Sequence, residues 1–151
     1  MSSLFILHTL QEANLTCVDS WSGSDEHQNL SYLDKVEPRF DFNLNKYKSR
    51  LLKIKSKSSD FFYRMEKTEN YYDLIYIDGS HHSDDVILDA LSAFRLLKPN
   101  GYLIFDDYLW KFYKNPYENP AVSINFFLKS KSNNIRYLFI NQQVIIQKII
   151  T

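Results

Sequence analysis

Along the chain, short apolar runs alternate with longer stretches whose apolar positions recur at helical spacing. Leu4, Ile6, Leu7 and Leu10 predict a helix over residues 3–13, with Ser2 or Ser3 as its cap. LTCVD (15–19) reads as a short buried strand, and the polar loop SWSGSDEHQN follows it. Residues 30–49 read as a helix interrupted at Pro38, because proline has no N–H to give the preceding turn. LLKIKS (51–56) is a strand in which Lys53, Lys55 and Lys57 alternate with Leu52 and Ile54. Such lysines mark a protected sheet edge more often than a binding patch.

A short helix over 59–66 precedes the strand DLIYID (73–78). The next helix spans 84–97, with Ser83 as N-cap and Asp84 and Asp85 in a first turn where the helix dipole favours negative charge. Its expected apolar stripe is Ile87, Ala90, Leu91, Phe94 and Leu97. Lys98-Pro99-Asn100-Gly101 ends it and turns the chain into YLIFD (102–106). Pro120 opens a further helix with Ile124, Phe127 and Leu128 inward. RYLFI, the turn Asn141-Gln142-Gln143 and VIIQKI predict a C-terminal antiparallel hairpin. Strands alternating with helices imply an α/β sheet with helices on both faces.

Three of these strands end in acid: Asp19, Asp78 and Asp106, the last followed by Asp107. Ligands of open α/β sheets bind beyond the carboxyl ends of the strands, so the acids mark the expected site. Asp19 suits ribose hydroxyls, or else it is a solvated loop acid or a cap. If the strands ending at Asp78 and Asp106 are neighbours, their ends lie about 5 Å apart. Asp78, Asp106 and Asp107 would then repel one another unless a cation lay between them, and oxygen donors suit Mg²⁺, Mn²⁺ or Ca²⁺. The alternative is that Asp78 and Asp107 merely cap turns. His81 and His82 follow Gly79-Ser80 at the same strand end, where either imidazole is a candidate general base or a loop hydrogen-bonder.

Composition narrows the function classes. The 151 residues suit one domain, with 44% hydrophobic content, enough for a core. Eighteen basic residues balance eighteen acidic ones, so nothing calls for nucleic acid or an anionic membrane. A lone cysteine, Cys17, excludes an internal disulfide and fits a reducing compartment. No apolar run approaches the ~18 residues of a membrane span. The N-terminus lacks the pattern of a secretion signal. A cytoplasmic protein is expected. Only three glycines are present, too few for a glycine-rich nucleotide loop.

LTCVDSWSGSDEH, FDFN, YDLIYIDGSHHSDDV, RLLKPNGYLIFDDYLW and QVIIQK together resemble the class I S-adenosylmethionine-dependent methyltransferases, most closely the methyltransferase-24 type. The resemblance implies a Rossmann-like sheet of order 3-2-1-4-5-7-6 with strand 7 antiparallel. It implies cofactor contacts from Asp19 to ribose, from Ser58 and Ser59 near adenine, and from Asp78. It implies a metal site of Asp78, Asp106 and Asp107, with Mg²⁺ the candidate ion. Related sugar O-methyltransferases carry an acid, their proposed base, where this chain has Ser80, leaving His81 or His82 as the substitute. The family's first strand and glycine-rich loop would precede Met1, so residues 1–151 are expected to form one domain lacking that first strand, open to homodimerisation.

The leading expectation is methyl transfer to a hydroxyl of a small molecule or sugar. A non-catalytic scaffold of the same fold is the competing one, and a different metal-dependent enzyme, such as a hydrolase, a third.

Overall fold

The computed structural model describes residues 2–23 and 31–149. The chain divides into two compact units, Met1–Ser58 and Ser59–Thr151.

In the first unit, α1 (Ser2–Thr9) is shorter than the expected helix over 3–13. Apolar spacing continues to Leu10, but no glycine follows to cap the helix. Arg50 supplies that function from a distance, donating to the carbonyls of Leu7 (2.8 Å), Leu10 (3.0 Å) and Ala13 (2.8 Å). Its planar, five-donor fork suits such multiple capping. Ser3 is a helical residue rather than a cap, and its hydroxyl lies 3.4 Å from Cys17 Sγ.

β1 (Leu15–Asp19) pairs in parallel with β2 (Leu51–Lys55). Between them, α2 (Leu33–Leu44) runs through Pro38 without interruption. Pro38 removes one hydrogen bond, to the carbonyl of Asp34, and the remaining turns hold the helix together. The helix tightens into a 3₁₀ turn at Asn45–Tyr47. The lysines of β2 reach α2: Lys53 pairs with Glu37 and Asp41 at 2.7 Å each, and Lys55 with Glu37 at 2.5 Å. Trp21 is buried against Phe40 (5.4 Å between ring centroids) with the Lys53 ammonium 4.6 Å over its ring.

α3 (Ser58–Arg64) leads into the second unit. There β3 (Tyr72–Ile77), β4 (Leu97–Phe105), β5 (Ile135–Ile140) and β6 (Val144–Lys148) form a sheet of order β3-β4-β6-β5. β3 and β4 are parallel, and β6 is antiparallel to both its neighbours. The orders β1-β2 and β3-β4-β6-β5 reproduce the 3-2 and 4-5-7-6 runs that the resemblance implies.

α4 (Ser83–Leu96) begins after His82, not Ser83, and His82 makes no side-chain cap bond. Ser83 is already helical, and its carbonyl accepts from the Ser123 hydroxyl at 2.5 Å. The buried stripe is rotated from the expected one, to Val86, Asp89, Ala90, Ala93, Phe94 and Leu96, while Leu91 is 42% exposed. Ala90 and Ala93 are fully buried, and such small side chains let α5 (Pro120–Ser130) approach. α5 turns Ile124, Phe127 and Leu128 inward, as the apolar spacing predicts. Phe127 meets the rings of Phe94 and Phe105 edge-on, at 5.6 and 5.4 Å.

α4 has no glycine cap either. Lys148 on β6 donates to the carbonyls of Phe94 (3.0 Å) and Leu97 (2.7 Å), closing its C-terminus. The β3–β4 ladder shifts register where Lys98–Gly101 bulges out. Gly101 is obligatory there, since a Cβ would lie 2.9 Å from the carbonyls of Asp73 and Lys98 and from Leu97 Cδ1. Among the described residues no helix is long and apolar enough to cross a membrane.

Candidate functional site

Within the second unit, a cleft opens at the carboxyl ends of β3 and β4. It is lined by the 77–81 turn, by Phe105, Asp106 and Asp107, and by Val86, Pro120 and Ile124 from the helices. The Asp106 N–H donates to the Ile77 carbonyl (2.9 Å), carrying the pairing past the strand ends, so Asp78 and Asp107 emerge side by side.

Donor atoms of Asp78, His81 and Asp107 lie within 4.8 Å of one another. His81 Nε2 is 3.0 Å from Asp107 Oδ2. Partial burial of the Asp78 carboxyl, reinforced by the negative charges of Asp106 and Asp107, pushes its pKa up to about 6; the nearby His81 works in the opposite direction. Crowded acids of this kind are what a cation relieves.

Asp106 shares the cleft, but its carboxylate is engaged otherwise. It accepts a hydrogen bond from the Tyr76 hydroxyl, one from Gln143 Nε2 (3.1 Å) and one from the Asp107 N–H (3.0 Å). Gln143 Nε2 also lies 3.3 Å from the Tyr76 hydroxyl. The Asp107 backbone is left-handed (φ 52°), a conformation that aspartate tolerates better than most residues. The bond from its N–H to the preceding carboxylate braces that conformation. The expected trio of Asp78, Asp106 and Asp107 is therefore brought together as a group, yet the donors that converge are Asp78, His81 and Asp107.

The two histidines divide. His81 lines the cleft, its ring stacked 4.4 Å from Trp110. His82 is the N-cap residue of α4 and stacks 4.1 Å from Tyr113. Ser80 shapes the turn: its hydroxyl oxygen accepts from the His82 N–H at 3.2 Å.

In the first unit, Asp19 Oδ1 accepts from the Trp21 N–H (2.7 Å), and Trp21 has φ 55°. The carboxylate thus shapes the turn that follows its strand. Ser58 and Ser59 are the first residues of α3. The part of the polar loop spanning 24–30 lies outside the described residues.

Several structural parts of the site carry little sequence signal. Tyr76 lies two residues before Asp78 and so shares its strand face. Gln143 sits in a hairpin turn, and nothing local ties it to Asp106. Asn119, just before Pro120, turns its side chain back to the N–H groups of Phe112 and Tyr113, and no local pattern marks that contact.

A family model described as a methyltransferase domain matches residues 1–108. No curated protein matches the chain by sequence. Among solved structures, a Corynebacterium glutamicum protein is 18% identical, with 99% of this chain covering 67% of that one at a TM-score of 0.65. The O-methyltransferase NovP is 13% identical, with 98% of this chain covering 66% of that one, also at 0.65. MycE, from the mycinamycin biosynthetic pathway, solved with Mg, S-adenosylhomocysteine and mycinamycin VI, is 12% identical over 98% of this chain and 48% of its own, at 0.56. At these identities the likeness is one of fold.

Proposed function

The chain belongs to the S-adenosylmethionine-dependent methyltransferase family, and from that premise we propose that it methylates a hydroxyl of a small molecule or sugar with a divalent cation assisting. The observation that carries this reading is the convergence of Asp78, His81 and Asp107 in one cleft. Its donor set is rich in carboxylate oxygen, as Mg²⁺ and Mn²⁺ prefer. MycE, of similar fold, holds Mg in its crystal structure.

In this reading Asp78 and Asp107 would hold the cation. S-adenosylmethionine supplies an activated methyl group, and a bound cation lowers the pKa of a hydroxyl. His81 takes the hydroxyl proton, and Asp107, 3.0 Å from its Nε2, stabilises the imidazolium that forms. His82, stacked on Tyr113 at the head of α4, is the weaker candidate for base. Asp19 is the proposed contact to ribose, Ser58 and Ser59 are the proposed contacts near adenine, and Asp78 is a further proposed cofactor contact.

Mn²⁺ titration followed by melting temperature tests the cation site. The wild type should be stabilised by mass action, and Asp107→Asn should lose that response. Calorimetry with S-adenosylhomocysteine tests the cofactor contacts. Asp19→Asn keeps an oxygen for the Trp21 N–H, so weaker binding would isolate the ligand role from the turn. A wild type that responds to neither ligand would leave the non-catalytic scaffold as the better description.

A further inference from the structure

Asn119 precedes Pro120 at the head of α5, where an asparagine ordinarily turns its side chain forward to cap the helix. Here it makes no cap bond to α5. The side chain turns backward instead, and the residue is only 6% exposed. Its Oδ1 accepts from the N–H groups of Phe112 and Tyr113, both at 3.2 Å. Its Nδ2 donates to the carbonyls of Tyr113 (3.1 Å) and Asn115 (3.4 Å). One buried carboxamide thus closes the loop between β4 and α5.

That loop carries the aromatic rings that face the histidines. Trp110 lies on His81 with ring centroids 4.4 Å apart, and Tyr113 lies on His82 at 4.1 Å. Tyr113 and Phe112 both meet Trp110, at 5.5 and 5.4 Å. The backbone groups that Asn119 holds are those of Phe112 and Tyr113, the two residues that brace Trp110. The carboxamide therefore sits one step behind the plates covering both imidazoles.

We propose that Asn119 is a positioning residue for the histidine pair: its buried carboxamide fixes the loop so that Trp110 covers His81 and Tyr113 covers His82. The ring of Trp110 keeps the His81 imidazole from rotating away from Asp107 and shields one of its faces from water. Its importance for catalysis rests on the reading that His81 takes the acceptor proton. The positioning itself does not.

Covalent footprinting with diethylpyrocarbonate, read by peptide mass spectrometry, tests the positioning without cofactor, cation or acceptor. Asn119→Ala should speed modification of both His81 and His82 by about tenfold, the loss expected when a buried multidentate clamp is removed. The exposed His8 should react at the wild-type rate. Trp110→Ala should unmask His81 far more than His82, and Tyr113→Ala the reverse. Lys148→Met, which loosens the opposite end of α4, controls for general destabilisation and should leave both rates unchanged. Unchanged histidine rates in Asn119→Ala, or equal acceleration in Lys148→Met, would overturn the proposal, as would rates unmoved by removing either ring. If Asn119→Ala does not fold, Asn119→Asp, which keeps an oxygen for the Phe112 and Tyr113 N–H groups but removes the donor to the Tyr113 and Asn115 carbonyls, decides it by the same acceleration of His81 and His82. Absence of methyl transfer by the wild type would count against the His81 reading and leave the footprint to judge the clamp.

Discussion

The two units solve the same problem with unequal means. In the second, thirteen buried residues from α4, α5 and all the strands but β3 form one apolar cluster, with Leu103, Phe127, Val144 and Ile146 fully inaccessible. Among the described residues of the first, Leu7, Trp21 and Leu44 are the buried apolar ones, and no residue of β1 or β2 is fully buried. β1 pairs only with β2 among the described strands. Parallel strands are ordinarily covered on both faces and paired along both edges. A sheet of two such strands leans instead on what surrounds it: the Arg50 clamp on α1 and the Lys53–Glu37–Asp41 cluster. Packing holds one unit; directional polar contacts hold much of the other.

The largest expected effect tests whether that difference is one of cooperativity. Phe127→Ala empties a fully buried ring site that Phe94 and Phe105 share, and should cost about 3–5 kcal/mol in chemical denaturation. Hydrogen exchange in the wild type should show the amides of Thr16–Val18 exchanging faster than those of Leu103–Phe105. In Phe127→Ala the second segment should lose protection while the first changes little. Equal, strong protection of both segments in a monomer would break the comparison.

Gly101→Ala should destabilise the second unit by about 1–3 kcal/mol, because two carbonyls and a buried leucine leave no room for a methyl group. Measurement by urea titration should show an altered midpoint with an unchanged slope. Next in size are the two distant caps. Lys148→Ala should cost about 1 kcal/mol. Arg50→Lys should retain the charge yet lose most of the clamp, since an ammonium cannot reach three divergent carbonyls as a fork does.

The smallest effect depends on pH. The pKa of Asp78 is raised from 3.8 to about 6 in the folded protein, by burial first and then by Asp106 and Asp107. Its contribution to stability is therefore complete below the unfolded value and is lost as pH rises through about 6. Asp78→Asn should melt slightly above the wild type at neutral pH without metal, and the two should converge in acid. A constant difference across the range would place the effect outside Asp78 ionisation.

Much of the fold was legible because it rests on local rules. Apolar runs located the six described strands, although β4 begins at Leu97, inside the expected helix and turn, and not at 102; Pro120 marked α5 to the residue. The acid-terminated strands pointed to the cleft, because β3 and β4 are neighbours and their ends must coincide. Boundaries drifted where a distant residue did the capping: Arg50 for α1 and Lys148 for α4 lie 40 and 51 residues from carbonyls they hold. Sequence windows do not contain such partners.

Which residue types gather at the ends of β3 and β4 follows from the order of residues along the chain: three carboxylates and two histidines. Only the tertiary structure divided their roles. Asp106 is held by Tyr76 and by Gln143, a residue of the β5–β6 turn, while Asp107 is left facing His81. Trp110 chose one histidine and Tyr113 the other, through a loop that Asn119 closes from the far side. Hydrophobic period fixes a face of a strand or helix, because every turn repeats it. A hydrogen bond between side chains far apart in sequence depends on where whole elements come to rest, and nothing in its own neighbourhood encodes it.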